Sequence, residues 1–219
     1  MLRLETGAVP DPSTLIPFVI ASAILVLIPG PAVLYIVSTG IGRGRRMALA
    51  SMLGIETGAL FHVAAAAVGL SAVVASSVVA YSVVKYAGAA YLIYVGIKTL
   101  RNHDESSPLK LPGATSARGA FKRGVIVNIL NPKLALFFLA FLPQFVAPNR
   151  GSVATQLVLL GLLFISVAIV IDGVYAMTSG MIGNVLNRSE RFARVQRRLA
   201  GVTYIALGAT AAATGSNSK

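Results

Sequence analysis

A Pro-Gly-Pro triplet, Pro29, Gly30 and Pro31, interrupts an apolar run from Leu15 to Val37 that carries no charged side chain. A run of that length crosses a bilayer as a helix, and in lipid each backbone N–H and C=O needs a partner within the protein. Pro29 and Pro31 remove two donors, which strands the carbonyls of Leu25 and Leu27. Gly30 between them opens conformations closed to other residues. A plain kink without a ligand is the simpler alternative. The triplet in the apolar middle favours a functional break, because irregular backbone at membrane depth persists where protein or a polar cavity serves the freed groups. A helix restarting at Pro31 presents the N–H groups of Ala32, Val33 and Leu34 at its positive end, which suits a carboxylate.

Five further apolar runs follow. Met47 to about Leu70 includes Glu56 and His62, and about Val79 to Leu100 has Lys85 near one end, where a long side chain snorkels to the headgroups. Phe121 to Val146 contains Asn131, Pro132, Lys133 and Pro143; Val153 to about Asn184 holds Asp172; Leu199 to Ala213 is short and alanine-rich. Only 12% of the 219 residues are charged, against about 25% in soluble domains, so a water-soluble fold could not cover its surface. With 56% hydrophobic residues, disorder is excluded too. The expected fold is all-α: one polytopic membrane domain over residues 1–219 with six transmembrane helices. No cysteine is present, which removes disulfides, thiolate metal sites and a Cys nucleophile.

The net charge of +12 raises the question of nucleic acid, and the positions of the 19 Lys and Arg answer it. Fourteen of them gather at Arg43, Arg45 and Arg46; at Lys98, Arg101, Lys110, Arg118, Lys122 and Arg123; and at Arg188, Arg191, Arg194, Arg197 and Arg198. Basic clusters after the first, third and fifth runs place all three in the cytoplasm and both termini outside it. No module of aromatic and base-reading side chains accompanies them, so no nucleic-acid partner is expected. Ala21, Ser22 and Ala23 resemble a signal-peptide cleavage site, but the apolar run continues past them and Arg3 is offset by Glu5 and Asp11, so an uncleaved span is expected. From Arg188 to Leu199, apolar and basic residues fall on opposite faces, as in a helix lying along the membrane surface; a solvated basic loop is the alternative.

The fourth run repeats the first one's device. Pro132 strands the carbonyl of Asn128, and Asn131 can cap a helix that starts again there. Each half is therefore a Pro-broken span followed by two more, about 14–101 and about 121–214 around a linker at 102–120. Three spans per half make the two repeats inverted, with a site at their interface near the midplane. Glu56 lies nine residues inside the second run, roughly 14 Å deep, and Asp172 lies twelve residues before Asn184, roughly 18 Å from the cytoplasmic end. A carboxylate at that depth costs at least about 2.5 kcal/mol. Such groups take up a proton readily, bind an ammonium, or pair with a cation such as Lys133. His62 is six residues from Glu56 and off its helical face, which fits a hydrogen-bonded packing residue better than a relay. Gly54 and Gly58 form a ridge for close helix packing beside Glu56. Tyr35, Tyr86, Tyr91, Tyr94 and Tyr175 suit membrane interfaces, Tyr35 and Tyr175 being deep enough to line a cavity. Nothing in the spacing of Glu56, His62 and Asp172 demands a metal, and there is no zinc-hydrolase, nucleotide-loop or Ser/His/Asp motif. Neither enzyme chemistry nor a cofactor is expected, and transport without a nucleotide would run on a gradient.

The stretch Leu27 to Gly40, reading Leu-Ile-Pro-Gly-Pro-Ala-Val-Leu-Tyr-Ile-Val-Ser-Thr-Gly, with the Arg43 to Arg46 cluster and Gly54 to Gly58, resembles the lysine exporter family of bacterial amino-acid exporters. So do Lys85 to Leu100 with its Gly-Ala-Ala-Tyr-Leu core, and Gly124 to Phe145 with Asn-Pro-Lys and Phe-Leu-Pro-Gln-Phe. The resemblance covers about Leu15 to Ala213. It implies a bacterial inner-membrane exporter of amino acids or related metabolites, working against incoming protons among membrane lipids. The functional positions it carries over are Pro29, Gly30, Pro31, Asn131, Pro132, Lys133 and Asp172; Glu56 is added by its depth. Met1 to Ser13 is longer than the family usually shows and is given no role. In the expected cycle, the substrate's carboxylate meets the helix start after Pro31 or Pro132 and its ammonium meets Glu56 or Asp172. One half then rocks against the other, and protonation outside releases the substrate. The oligomeric state is left open, a homodimer included. A non-transporting lipid-binding scaffold and an exporter of metal or other inorganic cations are the alternatives.

Overall fold

The computed structural model describes residues 12–76, 78–101, 116–147, 150–186 and 190–213, and all the regular structure among them is helical. The helices are α1 (Pro12–Leu27), α2 (Pro31–Arg43), α3 (Arg45–Ser76), α4 (Val78–Arg101), α5 (Ala117–Ile129), α6 (Pro132–Leu136), α7 (Val153–Leu186) and α8 (Glu190–Ala213). A π-helical turn, Phe137–Phe141, and a 3-10 turn, Leu142–Phe145, continue α6. Residues 1–11 of the amino-terminal extension, residues 102–115 of the linker, Lys110 and Arg188 lie outside the described residues.

Burial runs opposite to that of a water-soluble protein. Ile16, Val68 and Val79 are at least 70% exposed, whereas Glu56, His62, Asn128, Asn131, Lys133, Gln156 and Asp172 are buried. Outward aliphatics and inward charges suit a lipid surround and a polar interior. By length and composition, α3 from Arg45 to Ala72 and α7 from Val153 to Ser179 can each cross a membrane. The pairs α1–α2 and α5–α6 with its extension qualify when each is taken as one span, bent by 49° and 45° at its break. Among the described residues that makes up to four crossings by this measure, against the six expected. α4 carries Lys85, Lys98, Arg101 and four tyrosines, and only Arg198–Ala209 of α8 is apolar, so neither reaches the apolarity of the others. The basic segment expected as a separate surface helix instead opens α8 and runs unbroken into the sixth apolar run, since no proline falls between Glu190 and Ala213.

The helix ends follow their sequence signals. Pro31 opens α2 with Gly30 in extended conformation ahead of it, and α2 stops at Gly44, whose φ of 82° favours glycine. Ser116 caps α5 by accepting from the Gly119 N–H at 3.1 Å. α3 packs on α5 backbone to backbone, with Gly54 under the Phe121 carbonyl and Gly124 under the Ser51 carbonyl. α4 and α8 meet similarly, Gly96 against Gly201. Each of these pairs joins a helix of the first half to one of the second, so the halves interleave.

Between the fourth and fifth runs the chain turns around Gln156, which is fully buried. Its side chain accepts from the Ala147 N–H at 3.0 Å and donates to the carbonyls of Ala147 at 2.9 Å and Arg150 at 3.3 Å. Gln156→Leu strands these groups and is expected to cost about 2–3 kcal/mol, read as a lower thermal midpoint in detergent.

Candidate functional site

Each carbonyl that the prolines strand has found a side-chain donor. The Lys133 ammonium donates to the carbonyls of Leu25 and Ile28. The Tyr175 hydroxyl donates to the Leu27 carbonyl at 2.9 Å. His62 donates through Nε2 to the Asn128 carbonyl at 2.9 Å, and the Asn131 N–H reaches the same oxygen at 3.0 Å. Every donor but the last comes from another element, so the breaks are held by tertiary structure. Lys133 itself follows Pro132, so the second break supplies the cation that closes the first. Tyr175→Phe keeps the ring and deletes one bond; it is expected to cost about 1 kcal/mol of stability by thermal unfolding in detergent.

Asn131 caps α6 as its sequence suggests, its side chain accepting from the Lys133 N–H at 3.1 Å. Asn128 matters for its side chain as well, which the sequence argument did not use. Its amide donates to the Ile55 carbonyl at 2.6 Å and its oxygen accepts from the Asn131 amide at 3.2 Å. The available signal was an Asn in an apolar run, three residues before another. Its effect is to tie the second break to the backbone one residue before Glu56.

Glu56 and Asp172 meet. Both are buried, Glu56 on α3 and Asp172 on α7, two helices that pack together. Glu56 Oε1 and Asp172 Oδ1 have no hydrogen-bond partner. Both acids line a cavity of about 40 Å³ with Gly30, Ala32, Val33, Asn128, Asn131 and Lys133, room for about three water molecules. Leu25, Val26, Ile55, Ala59, Leu134, Phe164 and Ala168 supply its apolar wall. Pro29, Pro31 and Pro132 do not line it and act by shaping the backbone around it. Of the three N–H groups expected at the α2 start, that of Leu34 is taken by the Gly30 carbonyl at 2.9 Å, while Ala32 and Val33 face the cavity. Tyr35 lies elsewhere, its hydroxyl donating to the Ala120 carbonyl at 3.1 Å. Tyr86, Tyr91 and Tyr94 are exposed along α4. No three His, Cys, Asp or Glu side chains converge among the described residues.

A helical bundle with aliphatics outside and two acids, a lysine and two broken helices inside is a multi-pass membrane protein with an internal polar site. The chain belongs to the LysE type translocator family, whose family model matches residues 23–215. It is 35% identical to the homoserine/homoserine lactone efflux protein of Salmonella typhimurium over 73% of this chain and 77% of that protein. It is 26% identical to the leucine efflux protein of Salmonella choleraesuis over 88% of this chain and 91% of that protein. An uncharacterized membrane protein of Vibrio cholerae is 26% identical over 87% of this chain and 92% of its own length. No solved structure matches the chain.

Proposed function

We propose that this chain is a secondary exporter that carries an amino acid or a related small metabolite out of the cytoplasm and admits a proton in exchange. Relatives named for efflux of homoserine, homoserine lactone and leucine support the cargo class. All three molecules carry an α-amino group, and the lactone has no carboxylate.

The observation that carries the proposal is that Glu56, Asp172 and Lys133, all buried, line one cavity. Two ionised acids and one lysine sum to −2 + 1 = −1, which leaves the cavity short of one positive charge. A proton on the acid pair supplies it, and so does a substrate ammonium, provided that the substrate's own carboxylate, where there is one, is balanced by the positive end of α2. In a low-dielectric cavity neither a missing nor a surplus charge is tolerated cheaply, so the two cations exclude one another. Mutual exclusion at one site is exchange.

The α2 start at Ala32 and Val33 receives the substrate's carboxylate where there is one, and Asn131 and Lys133 complete the polar wall. About three waters' worth of space holds the charged head of an amino acid, so its side chain needs the apolar wall to part. The sequence broken helix, long helix, shorter helix occurs twice, and we read it as two inverted repeats, about 14–101 and about 121–214, forming one transporter domain in a bacterial inner membrane. The exposed Arg43, Arg45, Arg46, Lys98 and Arg101 then face the cytoplasm and both termini face out. Because α3–α5 and α4–α8 bind opposite halves together, the halves do not swing as two rigid bodies; α1–α2 and α5–α6 hinge at their breaks instead. One protomer holds the whole cavity, so a homodimer is compatible with the mechanism and not required by it.

Proteoliposomes loaded with labelled leucine, homoserine or other amino acids and diluted into acidic buffer test this. Release of at least one of them faster than into buffer of matched pH is expected. Release indifferent to the gradient removes proton exchange, and no release of any of them removes export.

A further inference from the structure

We propose that the carbonyl oxygens of Leu25 and Ile28, with the Asp172 carboxylate, form the subsite for the substrate's ammonium, and that Lys133 fills this subsite until substrate displaces it. The inference rests on the export reading and identifies which atoms hold the cargo and which residue competes with it.

The first break sets two opposite helix ends against one cavity. α1 ends there with stranded carbonyls, its negative end, and α2 begins there with the N–H groups of Ala32 and Val33, its positive end. An α-amino acid carries its ammonium and carboxylate one carbon apart, and the break offers the matching pair of partial charges in the same order. The carbonyl side is occupied: the Lys133 ammonium donates to both Leu25 and Ile28. An ammonium on an alkyl stem is the chemical group that the substrate would bring. It has three N–H donors, and the carbonyls account for two acceptors. Asp172 Oδ1 stands unpartnered in the same cavity, only 3% of the residue being exposed, and is left for an incoming ammonium to reach.

The lysine lies in the break because Gly30 allows it there. A Cβ at Gly30 would stand 3.1 Å from Lys133 Cδ and 3.5 Å from its Nζ. Lys133 is anchored immediately after Pro132, so its side chain bridges the two breaks and can leave the first without unfolding the second. The displaced ammonium remains within the cavity, which keeps the charge count above unchanged. With Lys133 in place the stranded carbonyls are satisfied in the substrate-free protein, at the expense of a competitor that substrate has to dislodge.

Lys133→Ala and Lys133→Met test the subsite with n-propylammonium, which matches the end of the lost side chain. The purified variants are expected to be protected against thermal unfolding in detergent by n-propylammonium at a concentration roughly tenfold below that needed for the wild type. Tetramethylammonium, which has no N–H to give, should protect neither. Equal protection of wild type and variants by n-propylammonium overturns the proposal while wild-type efflux leaves export standing; absence of wild-type efflux takes both down. If neither variant folds, a structure of the wild type with bound amino acid decides. Substrate nitrogen on the Leu25 and Ile28 carbonyls with Lys133 withdrawn supports the assignment, and Lys133 unmoved on those carbonyls overturns it.

Discussion

Gly54→Leu and Gly124→Leu are each expected to abolish the folded protein. A Cβ at Gly54 would overlap the Phe121 carbonyl oxygen and stand 2.8 Å from its carbon; at Gly124 it would overlap the Ser51 carbonyl and stand 3.0 Å from the Ile55 nitrogen. These obstacles are backbone atoms inside helices and cannot rotate aside, so α3 and α5 must separate. Separation also breaks the Asn128 bond to Ile55 and the His62 bond to Asn128. The expected cost exceeds about 4–5 kcal/mol, against a typical total stability of about 5–15 kcal/mol. Size-exclusion profiles and thermal unfolding in detergent measure it. Gly42 and Gly69 are the controls: a Cβ at either meets nothing within 4 Å, and Gly69→Ala in the α3 interior is expected to gain about 0.5–1 kcal/mol. If Gly54→Leu and Gly69→Ala behave alike, the close approach of α3 and α5 is not what holds the bundle.

Asp172→Asn and Glu56→Gln are each expected to lower proton-driven efflux by about a hundredfold without loss of folded protein, the scale of removing one partner from a desolvated charge group. Either change brings the cavity to neutrality with Lys133 alone, so neither proton nor ammonium is drawn in. The double neutralisation should be worse than either single one, because it leaves the Lys133 charge unbalanced in the cavity. Adding Lys133→Met to Asp172→Asn leaves one acid and no lysine, again one positive charge short, and part of the efflux should return. Failure of that pair to recover any transport, with both proteins folded, would contradict the charge count.

The positions of the breaks were legible because proline chemistry is local: Pro29, Pro31 and Pro132 each name the carbonyl they strand. What serves those carbonyls was not, since Lys133, Tyr175 and His62 reach them from 108, 148 and 66 residues away. Depth along a run marked Glu56 and Asp172 as costly groups, yet only the packing of α3 on α7 brings them face to face. The Gly54 and Gly58 ridge announced a close partner without naming Gly124 as its counterpart. Lys133 was expected beside the substrate or paired with Asp172; its bonds to the broken end of α1 were not legible in the sequence. The six crossings were read from apolar runs alone, and α4 and α8 carry too many polar side chains for that criterion. The Arg188 to Leu199 pattern is amphipathic, but a period of alternation does not say where a helix stops, and nothing in α8 stops it.

Simultaneous recording of labelled amino-acid release and internal pH in proteoliposomes of the wild-type protein tests the exchange most directly. The account predicts that a single proton enters for each amino acid that leaves, a ratio held constant as the pH gradient is varied and lost together with efflux in Glu56→Gln. Sustained amino-acid release with no accompanying change of internal pH would contradict it.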